Sequence, residues 1–277
     1  MTNDSDFEAI IEGMLVVRDP KLDYIFFDKK FLKNISPISF DKNNLYIFSE
    51  RKILLDKIFS KKDINVYKLS NNFEFGFRDF KKWSAGIYIN KINEIIKKIL
   101  PNDETPFGSL FSDFKNIHEK IVESPYKSKE SYIATIVHEY AHIYYNRHKL
   151  WFLANKDENL KYINNSINYL MGEDSVLNGQ IRFPYFGELH QFMSELFAYS
   201  VEYSASKIFW VNFLEDLKVS EINTLRIFAK KEKDKNLEKE DSVIVDDPHN
   251  FTKVFGRIIV DKYKKEWPDK LLNGFII

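Results

Sequence analysis

Residues 136–145 of this 277-residue chain read IVHEYAHIYY and contain His138-Glu139-x-x-His142. On an α-helix, positions i and i+4 lie on one face, one turn apart. Two imidazoles placed so can both reach one zinc ion at ~2.0–2.1 Å. Glu139 follows the first histidine, and its carboxylate can accept a proton from water at the ion's open position. The two parts work together: zinc lowers the water pKa toward ~7, and the carboxylate completes deprotonation. Histidine is rare here, 6 of 277 residues, so H-E-x-x-H arises by accident on the order of once in a hundred such chains. The competing reading is a buried helix with two hydrogen-bonded histidines and no metal.

The motif requires a helix, and the pattern predicts one over Lys129–Asn146 with Ser128 as its cap. Ile133, Ile136, Val137, Tyr140 and Tyr144 form an apolar surface that buries it, and Ala141 is small beside the histidines. The first 90 residues read as short strands and turns. Tyr24–Phe27, Leu45–Phe48, Ile64–Leu69, Phe73–Phe77 and Ala85–Asn90 are β-rich runs between polar breaks. Helical spacing takes over in Lys91–Leu100 and again in Ser109–Glu123. A short helix is expected near Leu160–Leu170, and a long one from Glu188 to about Leu217. Lys230–Asp241, charged at ten of twelve positions, reads as a solvated face or loop. Asp247-Pro248 resembles a cap followed by proline at the first helical position, opening a helix with Phe251, Val254, Phe255 and Ile258.

Composition narrows the classes. Lys+Arg and Asp+Glu are both 41, so the formal net charge is zero and bulk charge gives no reason to expect a nucleic acid or an anionic membrane as partner. With 44% hydrophobic residues and 16% aromatic, a core rich in large side chains is expected. Glycine at 9 residues is too scarce for a turn-rich β-sandwich, so helices should dominate. There is no cysteine, so any metal must be held by His and carboxylates. No apolar run approaches the ~18–20 residues of a membrane span. Acids precede the short apolar run of MTNDSDFEAIIEGMLVV, where a signal peptide wants basic residues, so a cytoplasmic protein is expected. Phosphate-binding glycine loops and a G-x-S-x-G nucleophile turn are absent.

HEYAH on an apolar helix resembles the active-site helix of the zincin metallopeptidases. The metzincin branch would continue with Gly at position 145 and a third His at 148. His148 is present, but position 145 is Tyr. The gluzincin branch takes its third ligand from a Glu on a later helix, often in an N-E-x-F-A pattern. Ser194-Glu195-Leu196-Phe197-Ala198 is similar, with Ser in place of Asn, and lies 53 residues after His142, implying an insertion at roughly Arg147–Gly187. The resemblance therefore implies His138, His142 and Glu195 as ligands of Zn²⁺, with Glu188, His190, Glu202 and His148 as alternatives to Glu195. Gln191, Glu195, Ala198 and Glu202 form a polar-and-small stripe beside an apolar one of Phe192, Leu196, Tyr199 and Tyr203. Such a stripe faces solvent or a polar cleft. A donor to the oxyanion is also expected, with His249 and Tyr203 as candidates. His118 reads as exposed.

The resemblance implies an α+β, zincin-like fold. Residues 1–147 would form an N-terminal lobe with a small mixed sheet and the HExxH helix. Residues 148–277 would form a mostly helical lobe supplying the third ligand, with the zinc in the cleft between them. The implied activity is peptide hydrolysis, with Glu139 as general base. The amine-binding G-x-M-E-N segment of related aminopeptidases is missing, which favours an endopeptidase. An edge strand such as Ala85–Asn90 could pair with an extended substrate. Two alternatives stay open: a catalytically silent zincin-like binding domain, and a zinc hydrolase of a non-peptide amide or ester.

Overall fold

The computed structural model describes residues 4–40, 44–70, 94, 97–100, 129–149, 180–182, 188–210, 242–244 and 248–273. The expected strands at Phe73–Phe77 and Ala85–Asn90, the helices at Ser109–Glu123 and Leu160–Leu170, the charged run and His118 lie outside them. The chain divides into two compact units, Met1–Tyr140 and Ala141–Ile277.

The first unit opens with a helix, α1 (Asp4–Val16), where the sequence reading expected only strands and turns. Phe7, Ile10, Ile11 and Met14 recur at i, i+3, i+4 and i+7 and are all buried, the spacing of one helical face. Tyr24–Phe27 is not a strand either. Asp19 accepts the Lys21 amide at 2.9 Å and starts a 3₁₀ turn at Pro20–Leu22. Ile25 and Phe26 then donate their amides back to the Leu22 carbonyl, so the run is consumed in a turn. Asp28 caps α2 (Lys29–Lys33) by accepting from the Phe31 amide.

Four strands follow: β1 (Ile38–Phe40), β2 (Asn44–Ser49), β3 (Asp56–Lys61) and β4 (Ile64–Ser70). They form a sheet in the order β1-β2-β4-β3 with every pairing antiparallel, where a mixed sheet was expected. Short connections explain the β1–β2 and β3–β4 pairs, since a parallel pair needs a crossover of about a dozen residues or more. Lys62 and Asp63, at φ 51° and 65°, make the two-residue turn between β3 and β4. Phe7 of α1 meets Tyr46 and Phe48 of β2 edge-on, with centroids 5.1 and 5.7 Å apart. Ile38, Leu45, Ile47, Ile53, Tyr67 and Leu100 form a further core cluster.

The helix α3 (Lys129–His148) matches the expected span and runs two residues further. All five residues of its anticipated apolar surface, Ile133, Ile136, Val137, Tyr140 and Tyr144, are buried. A Cβ on Gly13 would lie 2.4 Å from Ile136 Cγ2, so α1 packs on α3 too closely for a side chain there unless one of the two helices or Ile136 shifts.

The second unit is mainly helical. It contains α4 (Glu188–Phe209), α5 (Pro248–Tyr263), a 3₁₀ turn at Lys264–Glu266 and α6 (Trp267–Leu272), with β5 (Gln180–Arg182) paired in parallel to β6 (Ser242–Ile244). The helix α4 stops at Phe209, short of the expected 217. On α4 the apolar stripe is buried at Phe192, Leu196 and Tyr203 and half-buried at Tyr199, while the polar stripe is buried at Glu195 and Ala198, half-buried at Glu202 and exposed at Gln191. Gly256 lets α5 approach, since a Cβ there would meet Ser200 Oγ at 2.8 Å and its amide nitrogen at 3.1 Å. Trp267 is fully buried and donates its indole N–H to Ser204 Oγ at 3.1 Å. The overall class is α+β, a small antiparallel sheet with mostly helical content. Among the described residues no helix is long and apolar enough to cross a membrane.

Candidate metal centre

The helix α3 puts His138 and His142 one turn apart on one face. Burial of Val137, Tyr140 and Ala141 around them turns this part of the helix inward. His138 is 7% exposed, while His142 and Glu139 are half-buried. Glu195 enters from α4 and is also only 7% exposed. One ligand atom from each of His138, His142 and Glu195 lies within 4.8 Å of the other two.

The donor set fits a divalent cation. Two imidazole nitrogens and a carboxylate oxygen are ordinary zinc ligands. Ligands about 2.05 Å from a tetrahedral ion lie about 3.3 Å from one another, and His142 Nε2 lies 3.5 Å from Glu195 Oε2. A charge-assisted N–H···O bond would draw the same atoms to about 2.8 Å, so the spacing suits a shared ion better than a shared proton. Even at the widest separation, a point at the centre of the three atoms is within about 2.8 Å of each. A buried carboxylate is also costly without a compensating cation.

Ser194, the residue before Glu195, completes this arrangement. Its Oγ lies 2.8 Å from His142 Nδ1, and Ser194 is buried. With the ring proton on Nδ1 and donated to Ser194, Nε2 turns its lone pair toward Glu195 Oε2 and the centre. Sequence reading noted Ser194 only as a substitute for Asn. The signal it carried was a short hydroxyl at a buried helical position next to an acid.

The other candidates are placed elsewhere. His148 stacks on Tyr144 at 4.1 Å and donates its Nδ1–H to the Tyr144 carbonyl at 3.0 Å. The His190 Nε2 accepts from Lys149 Nζ. Burial, then the charges of Lys149 and His142, lower its pKa. Glu202 is half-buried and interacts electrostatically with Arg257. Tyr203 donates its hydroxyl to Asp261 Oδ2 at 2.9 Å, with Arg257 and Lys207 over its ring at 5.1 and 5.2 Å. Burial, then the bond to Asp261, raise the Tyr203 pKa to about 12. The backbones of Glu188 and His249 belong to α4 and α5, and their side chains lie outside the description.

No protein-family model matches the chain, and the comparisons with curated proteins and with solved structures likewise return no match.

Proposed function

We propose that this chain is a zinc-dependent metallopeptidase, zincin-like in fold and of the gluzincin kind, with His138, His142 and Glu195 as the ligands. One observation supports it above the rest. A buried glutamate 53 residues after the second histidine of an HExxH helix presents its carboxylate 3.5 Å from that histidine. When bound, zinc supplies a Lewis acid that polarises a carbonyl and lets water ionise near neutral pH.

The chain's own groups do the rest. His138 and His142 are held one turn apart by a helix packed on its apolar side. Ser194 fixes the ring of His142. Glu139 takes the proton from the attacking water and passes it to the leaving amine. His249, at the start of α5, is the oxyanion donor in this reading, since the Tyr203 hydroxyl is engaged by Asp261. The substrate is a peptide or protein.

Metal analysis of purified wild type beside His142→Ala and Glu195→Ala tests the ligands. Wild type should carry about one zinc per chain and both variants should lose it. Retained zinc in Glu195→Ala would remove Glu195 from the set. Digestion of a broad peptide library, with Glu139→Gln as the inactive control, tests the activity. A library left intact by zinc-loaded wild type would remove peptide hydrolysis from the reading.

A further inference from the structure

Beyond His142, the faces of α3 and α4 continue with two nitrogen bases. His190 lies four residues before Ser194 on α4; Tyr145 follows His142 on α3, and Lys149 comes directly after the last residue of α3 with its amide still donated to the Tyr145 carbonyl at 2.9 Å. Residues at i and i+4 share a helix face, so His190 and Ser194 project together, as do Tyr145 and Lys149. The contacts agree. His142 meets Ser194, the ring of Tyr145 lies 6.3 Å from that of His190, and Lys149 Nζ donates to His190 Nε2. Lys149 also donates to Asn146 Oδ1 at 3.3 Å.

We propose, resting on the metallopeptidase reading, that Lys149 and His190 form a binding subsite for a substrate carboxylate. Both side chains are half-buried. Burial lowers the pKa of each, and a carboxylate seated on the pair would offset that penalty for both. A lysine ammonium and an imidazole N–H are donors suited to a carboxylate's two oxygens. His190 precedes Glu195 by five residues and Lys149 follows His142 by seven, or roughly 7–10 Å along the helix axes. An extended peptide covers about 3.3 Å per residue. The carboxylate therefore belongs roughly two or three residues from the scissile bond. It is either a C-terminal carboxylate or the side chain of an acidic residue at that distance.

Binding to the full-length Glu139→Gln protein separates these sources without turnover. The probes are acetyl-tetra-alanine with a free C-terminal carboxylate, its C-terminal amide, and an amidated acetyl-tetrapeptide ending in glutamate. By calorimetry, one of the two acidic probes should bind about tenfold tighter than the plain amide. Preference for the free acid identifies a terminal carboxylate, and preference for the glutamate peptide identifies a side chain. Lys149→Met should erase the preference and Lys149→Arg should keep part of it. If circular dichroism shows Lys149→Met unfolded, His190→Gln carries the same comparison. Equal or undetectable binding of all three probes overturns the proposal, as does a preference that survives both Lys149→Met and His190→Gln. Metal content measured on wild type reports separately on the ligand reading, because the preference is a property of Lys149 and His190.

Discussion

The Nε2 of His142 and the Oε2 of Glu195 stand 3.5 Å apart, one carried by α3 and the other by α4. An ion held there ties two helices together and should stabilise the fold as any ligand of the native state does. At free metal about a thousandfold above its dissociation constant, the gain is about 4 kcal/mol. Thermal unfolding with and without a chelator should show the loss as a lower Tm. Glu195→Gln should shrink the difference. An identical Tm in both conditions would refute a metal link between the helices.

Ser194 should matter to the metal and much less to the fold. Removing an outer partner of a ligating histidine costs about 10–100-fold in metal affinity. Ser194→Ala removes the group 2.8 Å from His142 Nδ1 and frees the ring to rotate. Competition with a chromophoric chelator should show that loss, with far-UV circular dichroism unchanged. Ser194→Thr, which keeps the hydroxyl, should recover most of it. Unaltered affinity in Ser194→Ala would show that the ring is held by packing.

Gly13 is the tightest point between α1 and the motif helix. A new Cβ would sit 2.4 Å from Ile136 Cγ2 and 2.8 Å from its Cβ, and the latter cannot swing away. Overpacking of this kind costs about 1–3 kcal/mol. Alanine's helix propensity returns about 1 kcal/mol, so Gly13→Ala should be net destabilising or nearly neutral at best. Gly13→Val lacks that compensation and adds bulk, so it should be clearly worse. Urea unfolding ranks the three proteins. Because Ile136 lies two residues before His138, metal affinity should fall in the same order.

The parts of this molecule that were legible in the sequence are those with a strong local period. The helix α3 was readable because its apolar residues and its histidines follow one 3.6-residue repeat on adjoining faces. The strands β2 and β4 were readable as β-branched and aromatic runs between breaks. The helix α1 carried an equally clear pattern in Phe7, Ile10, Ile11 and Met14, but acids and a glycine within it masked the period. Tyr24–Phe27 has strand composition, yet Asp19-Pro20 and Asp28 impose turn and cap geometry on either side of it. Glu195 was reached only through the resemblance, because its own stripe leaves solvent and a polar cleft equally open. A stripe of Gln, Glu and Ala reads by local rules as facing solvent or a polar cleft, and the two cases divide along it: Gln191 is exposed while Glu195 and Ala198 are buried. Its partners in space, His142 and the Ser194 hydroxyl beside it, follow from helix packing that no local pattern encodes.

Tyr203 and Asp261 make stability pH-dependent at the alkaline end. In the folded chain the Tyr203 pKa is raised from 10.0 to about 12, first by burial and then by its bond to Asp261. The folded state thus holds the phenol proton more tightly than the unfolded state does. Stability from this group is fully present below pH 10.0 and is lost as pH rises toward about 12. Tyr203 is itself buried, but the Asp261 and Lys207 side chains beside it are half-exposed, and solvent screening there limits the effect to on the order of 1 kcal/mol. Wild type should therefore lose urea resistance over that window faster than Tyr203→Phe, which has no proton to release. At neutral pH the ranking should reverse, because the variant leaves Asp261 without the 2.9 Å hydrogen bond. Asp261 has its own pKa lowered, burial raising it but bonds from Lys207 and Tyr203 outweighing that. Its contribution is present above the ordinary carboxylate range and fades in acid, so the two limbs can be measured apart. Parallel alkaline curves for wild type and Tyr203→Phe would mean that the phenol titrates as freely in the folded chain as in the unfolded one.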